Sequence, residues 1–323
     1  MTFIEMLRNR WSKVDSMVCV GLDSEYSQIS DEVKCASIRD GWAENIQPVS
    51  IIYGFNRAIV SATKDLVCAF KPNMAFYEGE WTDGFQALQR TIGYIRGLAA
   101  DIPIILDAKR TDIGNTNRGY AKMAFDELGA DAITVNPYFG GEALKPFLDR
   151  ADKGVIVLCR TSNPGAKEFQ DLKIPLTDLP EKGRTAFLKL EDNFGGILVW
   201  IDRVRAVRLY QWVALQAATE WNKNGNVLLV AGATYPEELK IIRQIVSNMP
   251  ILVPAIGAQA GDLEATVRDG LDDSGFGMII NSARGVIFAS KGGDFAEAAG
   301  REAKKLRDSI NEIKAKLLVK KVR

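Results

Sequence analysis

The sequence predicts an α/β fold, a (β/α)8 TIM barrel with an extra N-terminal helix and an insertion after strand 5. Eight apolar runs of strand length recur along the 323 residues, with amphipathic helical patterns between them. Their hydrophobicity is continuous and rich in Val and Ile, which is typical of parallel strands covered on both faces. Eight units favour a closed barrel over an open doubly wound sheet, which more often has about five or six strands. The runs are MVCVGLD, VCAFKP, IPIILDAK, AITVNP, GVIVLCR, NVLLVAG, PILVPAIG and GMIINSARG.

The extra helix is predicted at the very start of the chain. TFIEML matches a capping box, with Thr2 as the N-cap and Glu5 three residues later. Phe3, Leu7 and Trp11 share one helical face. We therefore expect a helix that covers the bottom of the barrel.

The fifth unit is too long for a simple strand-to-helix connection. About fifty residues separate the NPG triplet at 163–165 from Leu215, and structureless loops above ~15 residues are uncommon. We predict one domain over residues 1–323, with an insertion at about 166–212 that contains structure of its own.

Composition excludes several classes of function. The 41 basic and 41 acidic side chains cancel, so no global field draws the chain to nucleic acid or to an anionic membrane. There is no histidine, which excludes Ser-His-Asp and Cys-His nucleophilic schemes. The phosphate-binding motifs of open α/β sheets are absent, since neither GxGxxG after the first strand nor GxxxxGK[ST] occurs. Any anion site is therefore expected to be local.

The cysteines and the N-terminus predict a cytoplasmic protein. The four cysteines show no CxxC spacing, and we expect all of them to be reduced, buried and chemically idle. Arg8 and Arg10 interrupt any signal-peptide core, and no apolar run approaches the ~20 residues of a membrane span.

The polar residues that close the strands are the candidate site, because a barrel builds its active site at the carboxyl ends of its strands. Asp107 and Lys109 are two residues apart, so strand alternation would point both to the barrel mouth. Taken alone, the pair is equally consistent with two explanations. It marks the point where the strand ends in solvent, or it belongs to a functional cluster. Charge at the ends of two other strands favours function. The candidates are Asp23, Lys71 with Asn73, Asp107 with Lys109, Asn136, Thr161 with Ser162, Gln259 and Arg284.

The last two strand ends predict a phosphate site. Loops after strands 7 and 8 of a barrel commonly bind phosphate through backbone N–H groups. Gly257 allows close backbone approach, Gln259 offers a hydrogen bond, and Arg284 offers a bidentate grip on phosphate oxygens.

These motifs together resemble a known family. DAKRTDIGNT resembles the DxKxxD signature of the orotidine 5′-phosphate decarboxylases. GLD at Asp23, FKPNMAFYE at Lys71, CRTSNPG at Ser162 and VPAIGAQ at Gln259 follow in the same order and strand context. The resemblance is closest to the bacterial branch with long loops and covers nearly the whole chain apart from the insertion. The insertion is unlike the compact loop usual at this point in that branch.

The resemblance implies decarboxylation of orotidine 5′-phosphate to uridine 5′-phosphate, with no metal, cofactor or covalent intermediate. It also implies a homodimer with shared sites, because the second aspartate of the motif reaches into the neighbouring subunit. The implied charge array is Lys71, Asp107, Lys109 and Asp112. The implied substrate contacts are Asp23 and Thr116 on the ribose, Ser162 on the pyrimidine, Gln259 and Arg284 on the phosphate, and Asn73 and Pro254 nearby.

Two rival functions stay open at this point. One is a Mg-dependent keto-sugar-phosphate decarboxylase or aldolase of the same superfamily, which uses an acidic residue where this chain has Lys71. A lysine there would repel the metal. The other is a non-catalytic barrel that only binds a nucleotide.

Overall fold

Eight parallel strands, one from each predicted apolar run, form the central sheet of the computed structural model, which describes residues 1–234, 236–254 and 262–322 and side chains up to residue 318. The strands are β1 (Val18–Leu22), β2 (Ala69–Pro72), β3 (Ile105–Arg110), β4 (Ala132–Val135), β5 (Gly154–Arg160), β9 (Val227–Ala231), β10 (Ile251–Val253) and β11 (Met278–Ser282). The three intervening numbers, β6 (Lys173–Pro175), β7 (Val199–Ile201) and β8 (Val204–Arg208), belong to the insertion.

The sheet curves round into a barrel. Its strand order is β2-β1-β11-β10-β9-β5-β4-β3. Parallel bridges from Phe70 to Ile104 and from Asn73 to Asp107 join the two outer strands. The predicted (β/α)8 barrel is confirmed.

Helices cover the barrel on the outside. All residues of β1, β2, β4 and β9 are buried, as expected of strands with side chains packed both inside the barrel and against helices. The helices are α1 (Phe3–Val14), α2 (Asp31–Arg39), α3 (Pro48–Thr63), α4 (Met74–Gly79), α5 (Trp81–Leu98), α6 (Gly114–Ala121), α7 (Gly140–Leu148), α8 (Lys167–Gln170), α9 (Glu181–Phe194), α10 (Leu209–Gln216), α11 (Pro236–Val246), α12 (Leu263–Gly270), α13 (Arg284–Ile287) and α14 (Phe295–Val322). Two of them, α6 and α10, continue into the π-helical turns Lys122–Glu127 and Ala217–Trp221.

The predicted N-terminal helix is α1. Its capping box is complete, because the Thr2 N–H donates to Glu5 Oε2 at 2.8 Å and the Glu5 N–H donates to Thr2 Oγ1 at 3.3 Å. The Phe3 ring lies against Gly154, the first residue of β5. The helix therefore covers the amino ends of the strands, which form the bottom of the barrel.

The insertion contains the structure that its length predicted. Its strands form an antiparallel sheet in the order β6-β8-β7. Asp202 and Arg203, between β7 and β8, have φ values of 44° and 71°, as in a tight two-residue hairpin turn. The chain returns to the barrel at α10, which begins at Leu209, slightly before the predicted boundary.

The expectation of four buried cysteines was wrong at one position. All four are free thiols, and Cys19, Cys68 and Cys159 are buried. Cys35 is exposed because α2 packs inward through Val33 and its neighbours and presents Cys35 on the opposite face. None of the helices in the described part of the chain is long and apolar enough to cross a membrane.

Candidate active site

Two lysines and an aspartate meet at the carboxyl ends of β2 and β3. Lys71 Nζ donates to Asp107 Oδ2 at 2.8 Å, and Lys109 Nζ donates to Asp107 Oδ1 at 2.7 Å. The Lys71 side chain is 4% exposed and that of Asp107 is 12% exposed, whereas Lys109 is 50% exposed. The carboxylate thus lies between a buried ammonium and one that reaches into open space at the barrel mouth.

The surroundings of Asp107 and Lys71 favour the charged form of both groups. Burial alone would raise the pKa of Asp107, but Lys71 and Lys109 outweigh it and hold that pKa well below its ordinary range. Burial alone would lower the pKa of Lys71, but the neighbouring carboxylates Asp107 and Asp23 reverse this and raise it. At neutral pH Asp107 and Lys71 therefore form a carboxylate–ammonium pair.

The backbone at Lys109 departs from a regular strand. Its φ is 49°, and the pairing of β3 with β4 shifts register between Leu106 and Arg110. A non-glycine residue in the left-handed region carries a strain of order 1–3 kcal/mol, and such residues cluster at functional sites. Lys109 therefore reaches Asp107 from an irregular, bulged segment of β3. The prediction that both side chains point to the mouth rested on regular strand alternation, which does not describe the backbone at Lys109.

Thr134 is a member of the cluster that sequence reasoning missed. Its hydroxyl donates to Asp107 Oδ1 at 2.8 Å and accepts from the Lys109 N–H at 2.9 Å. One buried side chain on β4 thus fixes both the carboxylate and the bulged backbone of β3. The available signal was a lone hydroxyl in the apolar run AITVNP.

Asp23 lies near this cluster at the end of β1. Burial raises the pKa of Asp23 above its ordinary value. The positive charge of Lys71 opposes this shift, and the negative charge of Asp107 adds to it. Asp23 Oδ1 is buried and accepts no hydrogen bond from any residue that the structure describes. Lys109 and Arg284 also lower the pKa of Asp23, by less than Lys71 does. A buried acceptor of this kind is available to a ligand hydroxyl.

A buried polar network holds the backbone on both sides of Asp23, and it was not predicted from the sequence. Ser24 Oγ donates to Asn56 Oδ1 at 2.5 Å, and Asn56 Nδ2 donates to the Tyr77 hydroxyl at 3.1 Å. That hydroxyl donates to the Leu22 carbonyl at 2.9 Å. Asn56 comes from the middle of α3 and is followed by Arg57, and nothing in this local sequence indicates that its side chain is buried against Ser24 and Tyr77.

Asp112 and Thr116 do not join the cluster within this chain. The Asp112 carboxylate accepts from the Ile113 N–H at 2.6 Å, and its backbone is held by the buried side chain of Asn117. Across the described residues, no hydrogen bond or ion pair joins Asp112 to Lys71 or Lys109. Thr116 lies exposed on α6.

The remaining predicted residues border the same mouth. Asn73 follows β2 and caps α4 by accepting from the Ala75 N–H at 3.3 Å. Ser162 is half-buried after β5, and Pro254 is half-buried after β10. Arg284 is exposed at the start of α13. Gln259, the predicted phosphate ligand, lies outside the described residues.

Asn136 and Thr161 serve the structure of their own loops. The Asn136 side chain accepts from the Tyr138 N–H at 3.0 Å and so caps the turn after β4. The Thr161 hydroxyl donates to Asn163 Oδ1 at 2.6 Å. Within residues 1–234, 236–254 and 262–322, no group of three or more His, Cys, Asp or Glu side chains is arranged to hold a metal ion.

Comparisons with known proteins identify the family. The family model described as orotidine 5′-phosphate decarboxylase / HUMPS matches residues 16–193, more than half of the chain. The chain is 41% identical to an orotidine 5′-phosphate decarboxylase of Cellvibrio japonicus, over 98% of this chain and 100% of that protein. It is 42% identical to one of Ralstonia pickettii, over 97% and 100% of the two chains.

A solved structure agrees in fold and sequence. The OMP decarboxylase of Leishmania donovani superposes with a TM-score of 0.72 and 33% identity, and the match covers 97% of this chain and 99% of that one. The resemblance predicted from the five motifs is confirmed. With its barrel, its ordered motifs and these full-length relatives, the chain belongs to the orotidine 5′-phosphate decarboxylase / HUMPS family.

Proposed function

We propose that this protein decarboxylates orotidine 5′-phosphate to uridine 5′-phosphate, the last step of pyrimidine nucleotide synthesis. The observation that carries the proposal is the cluster of Lys71, Asp107 and Lys109 at the barrel mouth, in a chain whose full-length relatives bear the decarboxylase name. The family model also covers the HUMPS group. Lys71 favours the decarboxylase, because an ammonium at that position would repel a catalytic cation.

Lys109 carries the central chemical role in this proposal. When the bond between the ring carbon and the carboxylate breaks, CO₂ leaves and the electron pair stays on a carbon with no adjacent electron sink. A positioned ammonium stabilises that charge and then gives its proton to the same carbon. Lys109 Nζ suits both steps, because it is half exposed toward the mouth and is fixed by Asp107.

Asp107 has a supporting role. It lies next to Lys109, so the carboxylate of a bound substrate would come close to a second negative charge. We assign the repulsion only a secondary share of the catalysis, since ground-state destabilisation is a contested source of rate. Lys71 holds the carboxylate in position at 2.8 Å.

No single residue accounts for an enzymatic rate. Enzymes lower barriers by ~8 to 23 kcal/mol, and one positioned group contributes about 3 to 4 kcal/mol. Binding energy from the phosphate, remote from the reacting carbon, supplies a further part by assembling the closed site.

The binding roles follow from position at the mouth. We assign Asp23 to the ribose because its buried Oδ1 has no donor among the described residues, and we assign Ser162 to the pyrimidine. Gln259 and Arg284 are assigned to the phosphate, for which a guanidinium offers paired N–H donors. Asn73 and Pro254 border the site as further substrate contacts.

We propose a homodimer in which Asp112 and Thr116 complete the partner's site. Asp112 has no ion pair to Lys71 or Lys109 of its own chain in the described structure, so its carboxylate is available to a neighbour. The apolar side chains beside it support an interface there, since Ile113 is 58% exposed, Tyr138 85% and Phe139 55%.

Mixing two inactive variants tests the shared sites. Lys109→Ala and Asp112→Ala each disable both sites of their own dimer, whereas a hybrid dimer contains one site with both residues intact. We expect activity to return after subunit exchange. Exchange that is shown by mass spectrometry without any return of activity would rule out sharing.

We also propose a cytoplasmic location and no nucleic-acid partner. Four free thiols are typical of a reducing compartment, and equal numbers of acidic and basic residues give no basic field.

A spectrophotometric assay of orotidine 5′-phosphate consumption tests the function. The expected result is turnover at the same rate with and without EDTA, because no step is assigned to a metal. Absence of turnover, together with an EDTA-sensitive activity on a keto-sugar phosphate, would favour the magnesium-dependent alternative.

A further inference from the structure

The strand that precedes Ser162 is tied to the insertion by a buried arginine. Arg160, the last residue of β5, is 1% exposed. Its guanidinium pairs with Asp171 Oδ2 at 3.4 Å and donates to Gln170 Oε1 at 3.3 Å. Both partners lie at the end of α8, the first helix of the insertion. The insertion is therefore anchored next to the proposed pyrimidine contact.

Gln170 also binds the residue that precedes Ser162 at two points. Its Oε1 accepts from the Thr161 N–H at 2.9 Å, and its Nε2 donates to Thr161 Oγ1 at 2.8 Å. The two bonds hold the backbone and the side chain of Thr161 at once, so the residue cannot rotate about its own bonds without breaking one of them. The direction in which the chain enters Ser162 is fixed by the insertion.

Gly232 confines Ser162 from the other side. The Gly232 N–H donates to the Arg160 carbonyl at 2.7 Å. A Cβ placed on Gly232 would lie 3.0 Å from Ser162 Cβ and 3.1 Å from its backbone nitrogen, so only a glycine allows this approach without a shift of its neighbour. Ser162 is thus held between the backbone after β9 and the clamp from α8.

We propose that Gln170 is a positioning residue for substrate recognition, acting through Thr161 to hold Ser162 against the pyrimidine ring. This inference rests on the proposed function, and it gives the insertion a role at the active site. The effect belongs to binding of the base, because Gln170 contacts Thr161 and Arg160 at the end of β5, whereas Asp107 and Lys109 lie on β3, with β4 between the two strands. Small displacements of positioning groups have large effects on substrate alignment.

The test replaces Gln170 with alanine in the full-length enzyme. We expect KM for orotidine 5′-phosphate to rise roughly 5- to 30-fold, the range for losing one or two buried hydrogen bonds, while kcat changes much less. Inhibition by uridine 5′-phosphate should weaken by the same factor. Inhibition by ribose 5-phosphate, which has no base, should not change.

Matched variants separate positioning from loss of structure. Gln170→Glu keeps the acceptor for the Thr161 N–H and for Arg160, so it should recover part of the lost affinity. Gln216→Ala removes a glutamine from the neighbouring α10 and should leave KM unchanged. Gly232→Ala pushes on Ser162 from the opposite side and should raise KM without altering ribose 5-phosphate inhibition.

A double variant decides whether Gln170 acts through Ser162. If it does, Gln170→Ala combined with Ser162→Ala is no worse than Ser162→Ala alone, because the group being positioned is already gone. Additive effects, an unchanged KM in Gln170→Ala, or a loss confined to kcat would each overturn the proposal. Failure of the wild-type enzyme to turn over is a failure of the proposed function instead.

Discussion

Replacing Asp107 with asparagine tests whether the charges at the barrel mouth are coupled as their geometry indicates. The change keeps the size of the side chain but removes the negative charge that is bonded to both Lys71 and Lys109. Breaking a buried pair costs about 3 to 5 kcal/mol, because the remaining charge is left uncompensated. Asp23 also favours the charged form of Lys71. We therefore expect the free energy of unfolding to fall by an amount at the lower end of this range, about 3 kcal/mol.

Urea denaturation followed by circular dichroism at fixed protein concentration measures the loss. Asp126→Asn is the control, because Asp126 is 48% exposed and pairs with Arg150 at the surface at 2.9 Å; we expect less than about 1 kcal/mol there. Replacing both partners, with Lys71→Met and Asp107→Leu together, should restore part of the stability, since neither member of the pair is then left without the other.

The pH dependence of that loss has a definite sign. The pKa of Asp107 is lowered from 3.8, so its stabilisation is present above that value and disappears as pH falls through the lowered pKa. The pKa of Lys71 is raised from 10.5, so its stabilisation is present below that value and is lost as pH rises through the raised pKa. The difference between wild type and Asp107→Asn should be flat around neutrality. A difference no larger than that of the control would refute the coupling.

Two further variants probe the surroundings of Asp23. Asp23→Asn should weaken substrate binding yet stabilise the free enzyme at neutral pH. The gain in stability should shrink as pH falls below the raised pKa of Asp23, where the wild-type residue is already neutral. Thermal unfolding at several pH values measures the gain, and a destabilised variant would contradict the prediction. Asn56→Leu should lower the free energy of unfolding by roughly 2 to 4 kcal/mol, because it leaves the buried hydroxyls of Ser24, Tyr77 and Thr91 without their shared partner. Its KM should also rise, and an unchanged KM would show that the network does not position Asp23.

The sequence predicted best the features that follow from the pattern of apolar and polar residues along each strand. Continuous apolar runs predicted the parallel strands, and their polar ends predicted Asp23, Lys71, Asp107 and Lys109 as neighbours, because the carboxyl ends of barrel strands meet at one mouth. The structure brings those four together. That the whole chain is a single domain stays a prediction.

The contributions of distant residues were not predictable in this way. Thr134 and Asn56 each bind a site residue from another element, and nothing in the residues around them indicates the contact. The left-handed backbone of Lys109 depends on pairing between β3 and β4, not on its own preference. Gln170 likewise gains its meaning only when the insertion folds back onto β5.

The role of Lys109 is tested most directly by Lys109→Ala, with kcat and the affinity for uridine 5′-phosphate measured on the same preparation. We expect turnover to fall by at least about a hundredfold, as for loss of a positioned catalytic group, while product affinity changes far less. Lys122→Ala, a surface lysine that is 68% exposed, should behave as wild type. Full turnover by Lys109→Ala would contradict the assignment of the ammonium as the group that stabilises and protonates the carbanion.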